Sequence, residues 1–347
     1  MKVAVVGVGR WGKNHARVLR DLRDEGIVDE VAVVDKDIGR AKEIADRYGI
    51  ERYYSNINEI RSFDAAIVAV PTIYHYPVAK KLLELNLNLL VEKPLATTIE
   101  EAKDLVLYSK SKGLKLGVGH IERFNQGVNM VKEVLNNAIS CGDEIVYISA
   151  QRIGPGFPSR YALNLGVAHD LLVHDVDIIV YLLGKLPKSV QANVIRNQSF
   201  PYEIEVNANL LFSENIIANV RASWRTSPKF KKRILTIQTT ESVITLDYIL
   251  QSVIIERGTM IHSSSVDFES LLLAYQAREF LEKRLIPSRK MEPLYLEIKS
   301  FLEAVNKDKD PLVNGVDGYI AVKIVNATLE SATKGNIVRL EWNEPFL

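Results

Sequence analysis

Cysteine is almost missing from this chain. Cys141 is the only one in 347 residues, which excludes an internal disulfide and any zinc site built from several thiolates. An excess of charge of either sign is missing too: 44 lysines and arginines stand against 43 acidic residues, so no global field recruits nucleic acid or an anionic membrane. Any anionic ligand has to be held locally. No apolar stretch approaches the roughly 20 residues of a membrane span. Met1-Lys2 runs straight into Val3-Ala4-Val5-Val6 with no signal-type segment, so a soluble, cytoplasmic protein is expected. Internal repeats and low-complexity tracts are not seen. What is present is apolar bulk, 47% of a chain longer than one typical domain of about 100 to 200 residues, and two domains are expected, 1–120 and 121–347.

The first part reads as strands alternating with helices. Residues 2–8 form a hydrophobic run that breaks at Gly7-Val8-Gly9-Arg10-Trp11-Gly12, and Asn14 to Leu22 carries apolar positions at helical spacing. Strand, glycine turn and helix in that order suit a dinucleotide: glycines let the backbone approach a pyrophosphate, and the helix start offers free N–H groups. Arg10 and Trp11 lie within this turn and join the candidate cofactor contacts. A second run, Val31 to Val34, ends in Asp35, whose carboxylate can accept both ribose hydroxyls and would repel a 2′-phosphate; NAD is favoured over NADP, with Lys36 blurring that choice. The alternative for Asp35 is a cap on the helix that starts near Asp37.

Further units follow at Ala65 to Val70 with a helix from Tyr76 to Leu85, Leu89 to Glu92 with a helix from Ile99 to Lys112, and Leu116 to Gly119. This alternation is a doubly wound parallel sheet, a Rossmann arrangement. Pro71, Thr72 and His75 leave one strand end and could border the nicotinamide side, although His75 could equally cap its helix. Glu92-Lys93-Pro94 closes the apolar run Leu89-Leu90-Val91. A lysine at a buried strand end has little reason to sit there for packing, whereas a reacting hydroxyl or carbonyl would profit from its charge.

After about residue 120 longer alternating strands take over, as in Glu144 to Ala150, Ile216 to Trp224 and Ile234 to Leu246. A mostly antiparallel open sheet with helices on one face is expected, an α/β domain whose uncovered face would need a partner, hence a homodimer or homotetramer. Ser263-Ser264-Ser265 reads as a loop, and helices resume at Leu294 to Asn306 and Asp317 to Lys334. Within this half, Gly166-Val167-Ala168-His169-Asp170-Leu171-Leu172-Val173-His174-Asp175-Val176-Asp177 is dense in polar groups. If helical, Asp170, His174 and Asp177 share a face, and a carboxylate one turn from an imidazole can orient a general base. The alternative is a helix start with a satisfied core histidine. His169, Asp170, His174 and Asp177 carry metal-ligating atoms but not a recognised zinc spacing, and no metal is expected.

Taken together, Gly7 to Gly12, Pro71-Thr72 with His75, Glu92-Lys93-Pro94 and the pair Asp170 and His174 resemble the glucose-fructose oxidoreductase, inositol dehydrogenase and rhizopine catabolism (Gfo/Idh/MocA) family along nearly the whole chain. The resemblance implies an NAD-dependent oxidoreductase in which Lys93, Asp170 and His174 border the transferred hydride. It also implies an open sheet that makes oligomer contacts. Gly119-His120-Ile121-Glu122-Arg123-Phe124-Asn125, Arg152-Ile153-Gly154-Pro155, Gly166-Val167 and His174 to Asp177 look like the branch that oxidises C3 of UDP-N-acetylglucosamine or its uronic acid. Gln126-Gly127 stands where those relatives often have Pro-Ala, and Asn164 near an expected aspartate. For such a substrate Arg123, Arg152 and Arg160 could grip the diphosphate, with Asn125 beside them. His174 would act as base, Asp170 would hold its imidazole and Lys93 would stabilise the alkoxide, although His174 and Lys93 could exchange roles. A dehydrogenase of a free polyol such as myo-inositol, or an NAD-dependent sensor without turnover, are the alternatives.

Overall fold

Short apolar runs, together with Arg52-Tyr53-Tyr54, form the first sheet. In a computed structural model the protein is described over residues 1–155, 165–198, 200–213, 216–258, 281–286 and 290–347. β1 (Lys2–Val6), β2 (Glu30–Val34), β3 (Arg52–Tyr54), β4 (Ala65–Val68), β5 (Asn88–Glu92) and β6 (Leu116–Gly119) pair in parallel in the order β3-β2-β1-β4-β5-β6. The order reverses between β1 and β4, so a crevice opens at the carboxyl ends of these strands, where open α/β sheets bind ligands. Gly7, Asp35, Pro71 and Lys93 all leave strands at this edge.

Helices cover both faces because each buries one stripe. α1 (Gly12–Asp24) buries His15, Ala16, Val18, Leu19 and Leu22; α2 (Ile38–Tyr48) is capped by Asp37, which accepts from the Arg40 N–H. α3 (His75–Glu84) and α4 (Ile99–Ser111) follow, the latter opened by a capping box between Thr98 and Glu101. α5 (Gln126–Ser140), not anticipated from its apolar spacing, starts where the Asn125 side chain accepts from the Gly127 N–H.

β7 (Ile145–Pro155), β8 (Ser189–Arg196), β9 (Glu203–Ser213), β10 (Ile216–Thr226), β11 (Lys232–Thr239), β12 (Ser242–Asp247), β13 (Ser252–Gly258), β14 (Leu281–Ile286) and β15 (Val338–Arg339) make the second sheet. Its order is β14-β13-β12-β11-β7-β10-β9-β8-β15, antiparallel except where β7 meets β10. The alternating run over 234–246 is a hairpin and not one strand. Its two-residue turn at Thr240-Glu241 shifts the alternation by one, from Leu235 and Ile237 buried in β11 to Ile244 and Leu246 buried in β12, while Asp143 accepts from Thr240 Oγ1 and the Glu241 N–H. Ser263 to Ser265 lie outside the described residues.

One face of this sheet is packed by α6 (Val173–Leu183) and α8 (Gly315–Lys334). α7 (Pro293–Asn306) returns to the first sheet, burying Leu294, Ile298, Phe301 and Leu302 with Val3, Val5, Val33 and Leu90. Among the described residues no helix is long and apolar enough to cross a membrane.

Candidate functional site

The glycine turn is built for a close approach. Gly7 has φ 87°, and a Cβ on Gly12 would stand 1.8 Å from the Gly7 carbonyl oxygen, so neither tolerates a side chain. Gly9 differs: a Cβ there would meet nothing within 4 Å, so the turn presents bare backbone to open space. α1 begins at Trp11 with no side chain capping it. Asp35, only 7% exposed, accepts from the Val8 N–H at 3.0 Å and the Asp37 N–H at 3.0 Å, and faces Arg40 at 3.3 Å. Asp37, not Asp35, is therefore the helix cap, and the Asp35 carboxylate is fixed at the rim of the turn. Lys36 lies over the Tyr74 ring. These residues fit a dinucleotide.

A cleft of about 470 Å³ runs from Arg10 and Trp11 past Pro71, Thr72 and Pro94 to Lys93, Asp170 and His174. His75, 1% exposed, spans the backbone oxygens of Pro94 at 2.7 Å and Val70 at 3.0 Å, so it clamps two loops in the cleft wall and caps nothing. Glu92 is anchored from behind: His15 Nε2 lies 2.6 Å from its Oε1, and its Oε2 accepts from the Lys93 N–H. Burial pushes the Glu92 carboxyl up, but His15 and Lys93 outweigh it and hold it below the usual range.

Lys93 Nζ donates to the Asp170 backbone oxygen at 2.7 Å and to Asp170 Oδ1 at 3.0 Å. The expectation that Asp170 orients His174 is thus corrected: its carboxylate serves the lysine. The reason is local, because Ala168–Leu172 is a π-turn, and an i→i+5 turn removes residues 170 and 174 from the alignment an α-helix would give them. Depth in the cleft raises the Asp170 carboxyl, yet Lys93, the Trp224 indole N–H and Arg233 pull it below its ordinary value. The same depth, with the charges of Lys93, Arg152 and Arg233, drives His174 well below 6.5, so its imidazole is neutral at pH 7. Burial lowers neighbouring His169 to about 4.

The arginine expectations need a second correction. Arg123 is 4% exposed and bidentate to Asp177, with Nη2 also donating to Asp317 Oδ1 at 2.9 Å. Arg152 is 1% exposed; Asp175 accepts from its Nε and Nη2, and Glu122 from its Nη1 at 2.7 Å. Desolvated guanidiniums take carboxylate partners, and here those partners come from the protein, so no donor fork is left for a diphosphate. Asn125 is the α5 cap, also donating to Glu122 and the Tyr248 carbonyl. These residues weld the end of β6 to α6 and α8. Arg160 and Asn164 lie outside the described residues.

Three residues that shape the site were not found from sequence. Trp224 and Arg233 line the cleft from β10 and β11. Each is one polar tip in an alternating strand, and only tertiary packing turns it inward. The third is Glu203, whose Oε1 accepts from the Ala168 N–H at 3.0 Å and so fixes the turn that carries His169 and Asp170. A Cβ on Gly166 would sit 1.9 Å from that oxygen, which explains the glycine.

Residues 1–120 match the family model described as oxidoreductase family, NAD-binding Rossmann fold, and residues 144–340 match the oxidoreductase family, C-terminal alpha/beta domain. UDP-N-acetylglucosamine 3-dehydrogenase of Acidithiobacillus ferrooxidans is 26% identical over 92% of this chain and 93% of its own. Its solved structure superposes with a TM-score of 0.79 at 21% identity, covering 96% of this chain and 98% of that one. The scyllo-inositol 2-dehydrogenase (NAD(+)) of Bacillus subtilis is 28% identical over 100% of this chain and 98% of its own. Levoglucosan dehydrogenase, solved with NADH and levoglucosan, shares the fold with a TM-score of 0.82 at 20% identity over 99% of this chain and 100% of that one. With both domains matched and an NAD-binding turn in place, the chain belongs to the Gfo/Idh/MocA oxidoreductase family, as an NAD-binding sugar oxidoreductase.

Proposed function

We propose that the protein oxidises a ring hydroxyl of a sugar to a ketone, with C3 of UDP-N-acetylglucosamine, or of its uronic acid, as the substrate position, in a step of amino-sugar or glycan biosynthesis. The observation that carries this reading is the convergence of the Lys93–Asp170 pair and His174 on one cleft at the carboxyl end of β5, next to the glycine turn. NAD, when bound, supplies the hydride acceptor. His174, neutral at pH 7, takes the hydroxyl proton. Lys93 donates to the alkoxide oxygen as its charge develops, and Asp170 keeps the ammonium aimed. The pair opens on the cleft, with 18% of the lysine and 44% of the aspartate side chain exposed, so a substrate oxygen can reach it.

The UDP-sugar assignment is supported by likeness to the Acidithiobacillus enzyme over most of both chains. An inositol-type polyol is the second reading, favoured by the Bacillus relative of equal closeness. NADH formation with UDP-N-acetylglucosamine, its uronic acid and myo-inositol in parallel separates them. Reduction with a UDP-sugar alone upholds the first; reduction with inositol alone replaces it. We further infer that the outer face of the second sheet meets a second copy of the chain: Tyr147, Ile217 and Ile195 stand exposed on it.

A further inference from the structure

One guanidinium in the cleft is not neutralised by the fold. Arg233 on β11 lies directly across from Arg152 on β7, so two like charges stand side by side. Arg152 is fully matched by Asp175 and Glu122. Arg233 Nη1 comes no nearer than 3.8 Å to that same Glu122 Oε1, beyond hydrogen-bond distance, and it makes no other ion pair among the described residues. The other nearby carboxylate, Asp170, is paired with Lys93. A third of the Arg233 side chain, 33%, is open to the cleft.

The carboxylates of Glu122, Asp175 and Asp170 favour the Arg233 cation but do not offset the like charge and burial around it. Lys231, two residues along, is a further cation close enough to be disfavoured by Arg233. Burial and Arg152 likewise disfavour the Arg233 cation. A partly desolvated guanidinium with free donors beside another guanidinium is incomplete until an oxyanion accepts from it. Arg233 lines the same cleft as Asp170 and His174, so the anion belongs close to the reacting ring.

We propose that Arg233 is a specificity-determining residue that binds an anionic oxygen group of the substrate, carboxylate or phosphate, and so selects an acidic sugar over a neutral polyol. This rests on reading the cleft as a sugar-oxidising site. Lysine would supply charge without the fork.

The test is the ratio of kcat/KM for acidic against neutral substrates in the wild type, Arg233→Gln and Arg233→Lys. The panel is UDP-N-acetylglucosamine, its uronic acid, D-glucuronate and myo-inositol. Losing a bidentate charged pair should lower that ratio in Arg233→Gln by about 10-fold to 100-fold, mainly through KM, with Arg233→Lys between. A loss seen with UDP-N-acetylglucosamine identifies the phosphate; one confined to the uronic acid and D-glucuronate identifies the carboxylate. An unchanged ratio overturns the proposal, while NADH from a UDP-sugar would still uphold the reading of the site. Arg233-dependent oxidation of D-glucuronate with no UDP-sugar oxidised would uphold the proposal and remove the UDP-sugar assignment. Should Arg233→Gln not fold, competition on the wild type decides: D-glucuronate or UDP should inhibit about 10-fold more strongly than neutral D-glucose, and equal inhibition overturns the proposal.

Discussion

The Lys93 ammonium donates to two oxygens of Asp170, the backbone carbonyl at 2.7 Å and Oδ1 at 3.0 Å. Two fixed acceptors leave the third N–H direction for a substrate oxygen, which is how a flexible four-carbon stem becomes a positioned donor. Asp170→Asn keeps the shape and removes the charge. It should lower kcat by about 10²-fold without weakening NAD binding, as checked by turnover and by NADH fluorescence. Equal loss of NAD affinity would place Asp170 on the cofactor instead.

His174 sets the acid limb of the rate profile. Its folded value lies well below 6.5, and the base works only when unprotonated, so kcat/KM should stay level as pH falls through 6.5 and decline only below it. Removing one of the cations that lowers it, in Arg233→Gln, should move the limb toward higher pH. A limb at or above 6.5 in the wild type would contradict the assignment.

Glu297 should make stability fall as pH rises above 4.5. It is 2% exposed, neither carboxylate oxygen has a partner, and burial, with Glu92 and Asp177 nearby, raises it well above 4.5. The folded state then holds a proton that the unfolded chain has lost. The contribution is complete below 4.5 and disappears as pH rises toward the folded value, by up to about 1.4 kcal/mol per pH unit. Glu297→Gln should flatten the dependence between pH 5 and pH 8 in urea unfolding. An unaltered slope would show that the carboxyl is ionised in the fold.

Gly166→Ala should force Glu203 from the Ala168 N–H and disturb the turn that holds Asp170. A stability loss of about 1–3 kcal/mol is expected, accompanied by a fall in kcat. Loss of stability with kcat intact would separate this turn from catalysis.

Asp35→Asn should weaken NAD by about 10-fold, since a charged acceptor at the rim of the turn becomes a neutral one. Unchanged affinity in a titration would leave Asp35 with only its bonds to Val8, Asp37 and Arg40.

Five strands of the first sheet were legible as short apolar runs, and their parallel pairing follows from βα alternation; β3, Arg52-Tyr53-Tyr54, was not, because it carries no such run. Lys93 was legible as a charge that packing does not need. The pairing inside the second domain was not. Spacing places Asp170 one α-turn from His174, but a π-turn redirects the aspartate to a lysine 77 residues away. Arg123 and Arg152 carry the right chemistry for a diphosphate, yet Asp177, Asp317, Asp175 and Glu122 reach them first. Arg233 reads in sequence as one more cation in Lys231-Lys232-Arg233, and only its register opposite Arg152 marks it.

The most direct measurement of the central claim is NADH formation with the best sugar substrate by wild type, Lys93→Met and His174→Asn, side by side with NAD binding. Each substitution should reduce turnover by about 10²-fold or more while NAD still binds. Turnover preserved in both variants would contradict the account of this cleft as the oxidising site.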